Sequence, residues 1–165
     1  MPSDILIGDC RYVATVPLGP DPDITLESIS PRHLPALAEC YLASYPSGIG
    51  ATSIADSIAE MEATFDSEYG VLYPPASPTA VSQGRVVGSA MTVHRSPWDP
   101  HLTCPFVIEL FVHPDVRGQS LGRRLLREVA SSCLRIDQRH FALRTGPGTS
   151  AAAFRLYESL GMEPS

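Results

Sequence analysis

The chain has 165 residues, of which 44% are apolar and 18% charged, and its formal net charge is −6. That is one ordinary domain with enough apolar content for a sizeable core, which excludes a disordered tail or a low-complexity scaffold. No apolar run approaches the ~20 residues of a membrane helix, the first residues carry no basic stretch, and the acidic balance speaks against a general nucleic-acid binder.

Residues 1–22 are read as an N-terminal extension that ends in a proline-rich linker, and residues 23–165 as the folded domain. Within the extension, Ile5-Leu6-Ile7 and Tyr12 to Val16 are predicted to be short strands. Ile24 to Ile29 alternates apolar and polar residues, a strand pattern. Leu34, Leu37, Ala38, Tyr41, Leu42 and Tyr45 recur at helical spacing, and Pro46 to Gly50 breaks that helix. Ile54, Ile58, Met61 and Phe65 define a second amphipathic helix, capped by Thr52 or Ser53. Thr79 to Ser82 and Arg85 to Val93 flank Gln83-Gly84, the mark of a tight antiparallel hairpin.

A proline-rich loop with the single tryptophan, Trp98, then leads to Phe106-Val107-Ile108-Glu109-Leu110-Phe111-Val112. So continuous an apolar run fits a central strand covered on both faces. A helix carrying Leu121, Leu125, Leu126, Val129, Ala130 and Cys133 follows, then a strand from His140 to Thr145. A last helix from Ala151 to Leu160 is stopped by Gly161. The order β-α-α-β-β-β-α-β-α makes an α/β domain, a mixed sheet flanked by helices on both faces.

All 12 basic residues are arginines. That excludes phosphate loops built on a lysine and Schiff-base chemistry. Cys10, Cys40, Cys104 and Cys133 lack zinc or redox spacing and read as buried thiols of a reducing cytoplasm. The five histidines form no ligand set, so no metal is expected, although His113 at the end of the central strand is an alternative base.

The segment from Val112 to Leu126 is the most informative. A buried strand stops, a glycine-containing turn follows, and a helix begins at once. The first N–H groups of a helix lack internal partners and carry the positive end of its dipole. Small residues at Gly118, Ser120 and Gly122 let a ligand approach that backbone, and Arg117, Arg123 and Arg124 add charge, so the turn suits a pyrophosphate.

Arg117-Gly118-Gln119-Ser120-Leu121-Gly122 resembles the acetyl-CoA motif of the GNAT superfamily of N-acyltransferases, with Ser120 in place of the motif's first glycine. Glu109 to Asp115 resembles that family's fourth strand and the turn after it. Ser150 to Met162 is similar to its late helix, with Ser150 where an asparagine is usual. The resemblance implies acetyl-CoA as cosubstrate and direct transfer of its acetyl group to an amine of a small molecule or peptide. It implies Tyr157 as the acid that protonates the departing thiolate. Main-chain groups near Phe111 and Val112, the segment from Arg117 through Leu121 and Gly122 to Arg123, and Ser150 and Phe154 would hold the cosubstrate. A base must take the amine's proton, and Glu109, a carboxylate in an apolar strand, is the candidate.

Two rivals stand beside this reading. Gly146-Pro147-Gly148-Thr149-Ser150-Ala151 matches a dinucleotide fingerprint, but no strand and ribose-binding acid follow at the required spacing. A non-catalytic CoA-binding or regulatory module is the other, because Ser120 and Ser150 depart from the motifs. The family also places two strands after the late helix, and none is legible here. Either another chain supplies them, which predicts a homodimer, or the chain is truncated, or the N-terminal extension compensates.

Overall fold

The computed structural model describes residues 4–19, 23–46 and 48–165. The core of the expected linker, residues 20–22, and Ser47 in the expected helix break lie outside them. In chain order the strands are β1 (Asp4–Asp9), β2 (Thr25–Ser28), β3 (Pro78–Ser82), β4 (Arg85–Val93), β5 (Phe106–Val112), β6 (His140–Thr145) and β7 (Glu163–Pro164). The helices are α1 (Cys10–Val13), α2 (Leu34–Ser44), α3 (Ile54–Phe65), α4 (Leu121–Leu134) and α5 (Ala151–Ser159). The strands form one mixed sheet in the spatial order β2-β3-β4-β5-β6-β1-β7, in which only β5 and β6 are parallel neighbours.

The N-terminal segment is part of that sheet. β1 pairs antiparallel with the whole of β6, from Asp4 opposite Thr145 to Asp9 opposite His140, and β7 adds to its other edge. The strand expected over Tyr12 to Val16 is instead helix α1 and a turn. Asp9 decides this: its carboxylate accepts the main-chain N–H groups of Arg11 and Tyr12, which caps a helix and turns the chain out of the sheet. Cys10, Val13 and Val16 are then buried in the main core. Of the alternatives for the missing cover, the chain's own first strand takes the place beside β6.

α1, α4 and α5 cover one face of the sheet, where Leu125, Leu126, Val129 and Phe141 pack together with Tyr157 and Leu160. α2 and α3 cover the other, around Leu37, Tyr41, Met61, Met91 and Phe111. Local chemistry explains the joints. Ser53 accepts the Asp56 N–H at the start of α3. Gln83 and Gly84 both adopt positive φ, the turn whose twist suits a two-residue hairpin between β3 and β4. The Trp98 loop is pinned to β6 by Arg144 Nη2, 2.5 Å from Asp99 Oδ2, while Ser96 donates to the same oxygen. That guanidinium holds the Asp99 carboxyl below its usual range.

The arginines of α4 have structural partners that periodicity does not reveal. Arg123, Arg124 and Arg127 donate to the carbonyls of Pro17, Ile24 and Ala14, so the helix that opens the expected cradle also clasps the N-terminal segment.

Candidate active site

The sheet parts where chemistry was expected. β5 and β6 are paired only at Phe106 and Val107, opposite Ala142 and Leu143. Beyond them β5 has, among the described residues, no strand partner on its β6 side, so main-chain groups of Ile108 to Val112 that point that way face a cavity of about 1180 Å³. The cause lies in the pairing of β5 with β4. Met91 faces Glu109 and Thr92 faces Val107, so Ile108 is an extra residue, a bulge. A bulge bends its strand and shifts the alternation of side chains by one. Val107, Leu110 and Val112 therefore pack towards α4, whereas Ile108 and Phe111 pack on the α2–α3 side. Glu109 falls on that second side as well, against Tyr45.

The Tyr45 hydroxyl donates to Glu109 Oε1. Burial raises the Glu109 carboxyl to about 7, partly opposed by this hydrogen bond and aided by the negative charge of Glu60. A group poised there is half ionised near neutrality, which suits a general base. Removing the hydroxyl removes the one contribution that favours the ionised form. In a Tyr45→Phe variant the acid limb of kcat/KM, followed from pH 5 to 9, is expected to move up by about one unit or more. In the sequence Tyr45 closes the apolar stripe of the predicted helix, and its partner on β5 is not visible there.

Tyr157, on α5, lines the same cavity and is 8% exposed. Burial, and then the Glu109 charge, push its phenol up to about 12, so it keeps its proton at neutral pH. A protonated phenol and a half-ionised carboxyl near one another make an acid–base pair.

At the other end of the cavity, Gly118 (φ +82°) and Ser120 (φ +60°) twist the chain into α4. Among the described residues, the main-chain N–H groups of Gly118 and of Ser120 to Arg123 have no acceptor, while Gln119 closes the turn at residues 117–118; the first helical bond is Arg124 N–H to Ser120 O. A Cβ built on Gly118 meets nothing within 4 Å. The turn is thus a nest of free donors at a helix N-terminus, fitted to a pyrophosphate. Ser120 pays for its left-handed backbone with strain that glycine avoids. Ser120→Gly is expected to gain about 0.5–1 kcal/mol net of chain entropy, seen as a melting temperature higher by about 2 °C.

The remaining sequence expectations fare unequally. Gly118, Ser120, Leu121 and Gly122 line the cavity, as do Phe111, Val112 and Ser150. Gly122 also serves packing, since a Cβ there would come 2.9 Å from Leu156 Cδ2 on α5. Ser150 accepts the Ala153 N–H and caps α5. Arg117 and Arg123 border the cavity but are held by the protein itself. Arg117 Nη2 donates to Ser44 O at 2.5 Å, tying the end of α2 to this turn, and Arg123 Nη1 donates to Ser159 Oγ at 3.1 Å. Both acceptors are neutral, so the two guanidinium groups keep their charge beside the cradle and add to the positive end of the α4 dipole. Gln119 is exposed between lining residues, and Phe154 is 40% exposed on the outer side of α5; neither belongs to the cavity wall. His113 accepts the Asp115 N–H at the turn after β5 and lies near Arg85, outside that wall.

Residues 34–162 match the sequence model of the acetyltransferase (GNAT) family. No curated protein matches the sequence. Among solved structures, the GCN5-related N-acetyltransferase from Sphaerobacter thermophilus has a TM-score of 0.62 and 18% identity, over 99% of this chain and 48% of that one. The ribosomal-protein-S18-alanine N-acetyltransferase from Escherichia coli has a TM-score of 0.61 and 24% identity, over 84% and 76%. The aminoglycoside N-acetyltransferase AAC(6')-Iy in complex with CoA has a TM-score of 0.63 and 19% identity, over 90% and 91%. Likeness at these identities is likeness of fold. The chain spans 48% to 61% of the lengths of three structures that match nearly all of it.

Proposed function

We propose that this chain, which belongs to the acetyltransferase (GNAT) family, is an acetyl-CoA-dependent N-acetyltransferase that transfers directly to an amine acceptor. The observation that carries the reading is the composition of one cavity: free main-chain donors of the α4 turn at one end, Glu109 and Tyr157 at the other. The cosubstrate supplies an activated acetyl thioester, and CoA seen bound to AAC(6')-Iy supports its use here.

Each residue then has a task. Amides of Gly118 and of Ser120 to Arg123 bind the diphosphate, and unpaired main-chain groups of β5 orient the pantetheine arm and polarise the thioester carbonyl. Glu109, ionised, accepts the proton that the attacking amine must lose. As the C–N bond forms and the C–S bond breaks, Tyr157 gives its proton to the sulfur. Glu109 ends protonated and Tyr157 ionised, so passage of one proton between them resets the site. Because β1 already covers β6, this reading needs no second copy of the chain. Four buried, unpaired cysteines support a reducing, cytoplasmic setting.

Calorimetry with acetyl-CoA, followed by a thiol-release assay over a panel of amines, tests the proposal. Binding with turnover is expected. Binding without turnover on any amine would leave a non-catalytic CoA-binding module.

A further inference from the structure

A second, smaller cavity of about 250 Å³ lies on the α3 side of β5. Ile108 and Glu109 line both cavities, so the bulge is the wall they share and Glu109 stands at the junction. The rest of its lining is distinctive. Tyr41, Tyr69 and Trp98 bring three aromatic rings, and Glu60 brings a second carboxylate. The Tyr69 and Trp98 ring centroids are 6.2 Å apart. The Tyr69 hydroxyl donates to Glu60, 3.2 Å from each carboxylate oxygen, and among the described residues no guanidinium pairs with Glu60. The local field has one sign. Glu109, Glu60 and Asp56 hold the Tyr41 phenol up, and Glu60, Glu68 and Glu109 act likewise on Tyr69, each adding to burial.

Carboxylates without a cationic partner, beside aromatic faces, are a receptor for a cation. The volume is that of about eight water molecules, so the occupant is small. We propose that this second cavity is the acceptor pocket and that it takes a small amine bearing a second positive charge, the far cation held by Glu60 beside Tyr69 and Trp98 while the reacting nitrogen reaches Glu109. The inference rests on the acetyltransferase reading and narrows its acceptor from amines at large to compact diamines such as α,ω-diaminoalkanes, which react with the near nitrogen neutral, its ammonium proton already given to solvent, and the far one charged. A neutral or acidic tail in place of the second ammonium leaves Glu60 unpaired or repelled.

Two measurements test it, and they fail separately. Trp98 is the only tryptophan and lines this cavity while 55% exposed, so its fluorescence responds to occupation of the cavity, and Glu60→Gln separates that response from solvent effects. Titration of the full chain with 1,5-diaminopentane is expected to give a saturable change that 5-amino-1-pentanol does not match and that Glu60→Gln abolishes. In the thiol-release assay, kcat/KM for the diamine is expected to exceed that for the amino alcohol by about tenfold or more, with 5-aminopentanoate poorer still, and Glu60→Gln to close the gap. Acetyl transfer with no preference for the second cation, or a preference that survives Glu60→Gln, overturns the inference and leaves the acetyltransferase reading standing. A saturable, Glu60-dependent diamine signal without thiol release on any amine overturns the acetyltransferase reading while the cation pocket survives.

Discussion

Glu109→Gln is expected to slow acetyl transfer by about two to four orders of magnitude and to make the protein more stable above neutral pH. Both effects have one origin. The carboxyl sits at about 7 in the folded protein because burial penalises its charge, against about 4.3 in an unfolded chain. Between those values the native state holds a proton that the unfolded state has lost, so folding stability falls as pH rises through this window and stays lowered beyond it. Glutamine carries no charge to desolvate. Its stabilising effect should therefore be larger at pH 8 than at pH 5, in thermal melts of the two proteins side by side. The same substitution deletes the proton acceptor, so the activity that remains should lose the acid limb near pH 7. A variant that keeps that limb, or is destabilised equally at both pH values, contradicts the role assigned to Glu109.

Tyr157→Phe is expected to lower kcat by about two orders of magnitude while CoA affinity, measured by calorimetry, changes little. The phenol is nearly buried, and its ring contributes to the core with Leu160 and Val129, which phenylalanine preserves. What is lost is the proton for the departing thiolate, so the deficit should shrink for acyl donors whose thiols are more acidic. Equal losses in affinity and turnover would mean that the hydroxyl binds rather than protonates.

Much of this fold was legible locally. The strands Phe106–Val112 and His140–Thr145 begin and end where the apolar pattern places them, and the hairpin at Gln83-Gly84 follows from its turn residues. What escaped depends on partners far along the chain. The apolar run of β5 hides its extra residue, because a bulge at Ile108 exists only relative to Met91 and Thr92 on β4. Arg117 and Arg123 stand out in the linear motif, but their hydrogen bonds to Ser44, Pro17 and Ser159 join segments that no local pattern connects. Glu60 and Tyr69 carry no motif in the sequence, whereas Tyr45 falls at the predicted helix break and Trp98 is the single tryptophan of its loop. They become a site when α2, α3 and the Trp98 loop meet over Glu109.

The position of β1 bears on how the molecule assembles during synthesis. Asp4 contacts Thr145, 141 positions later in the chain. Pairings so distant in sequence slow folding, because the loop must close before any contact rewards it. β1 is thus made before its partner and can dock only after β6 has been made. Until then the outer side of β6 is a raw edge open to neighbouring chains, so a variant that lacks Asp4–Asp9 should aggregate during expression.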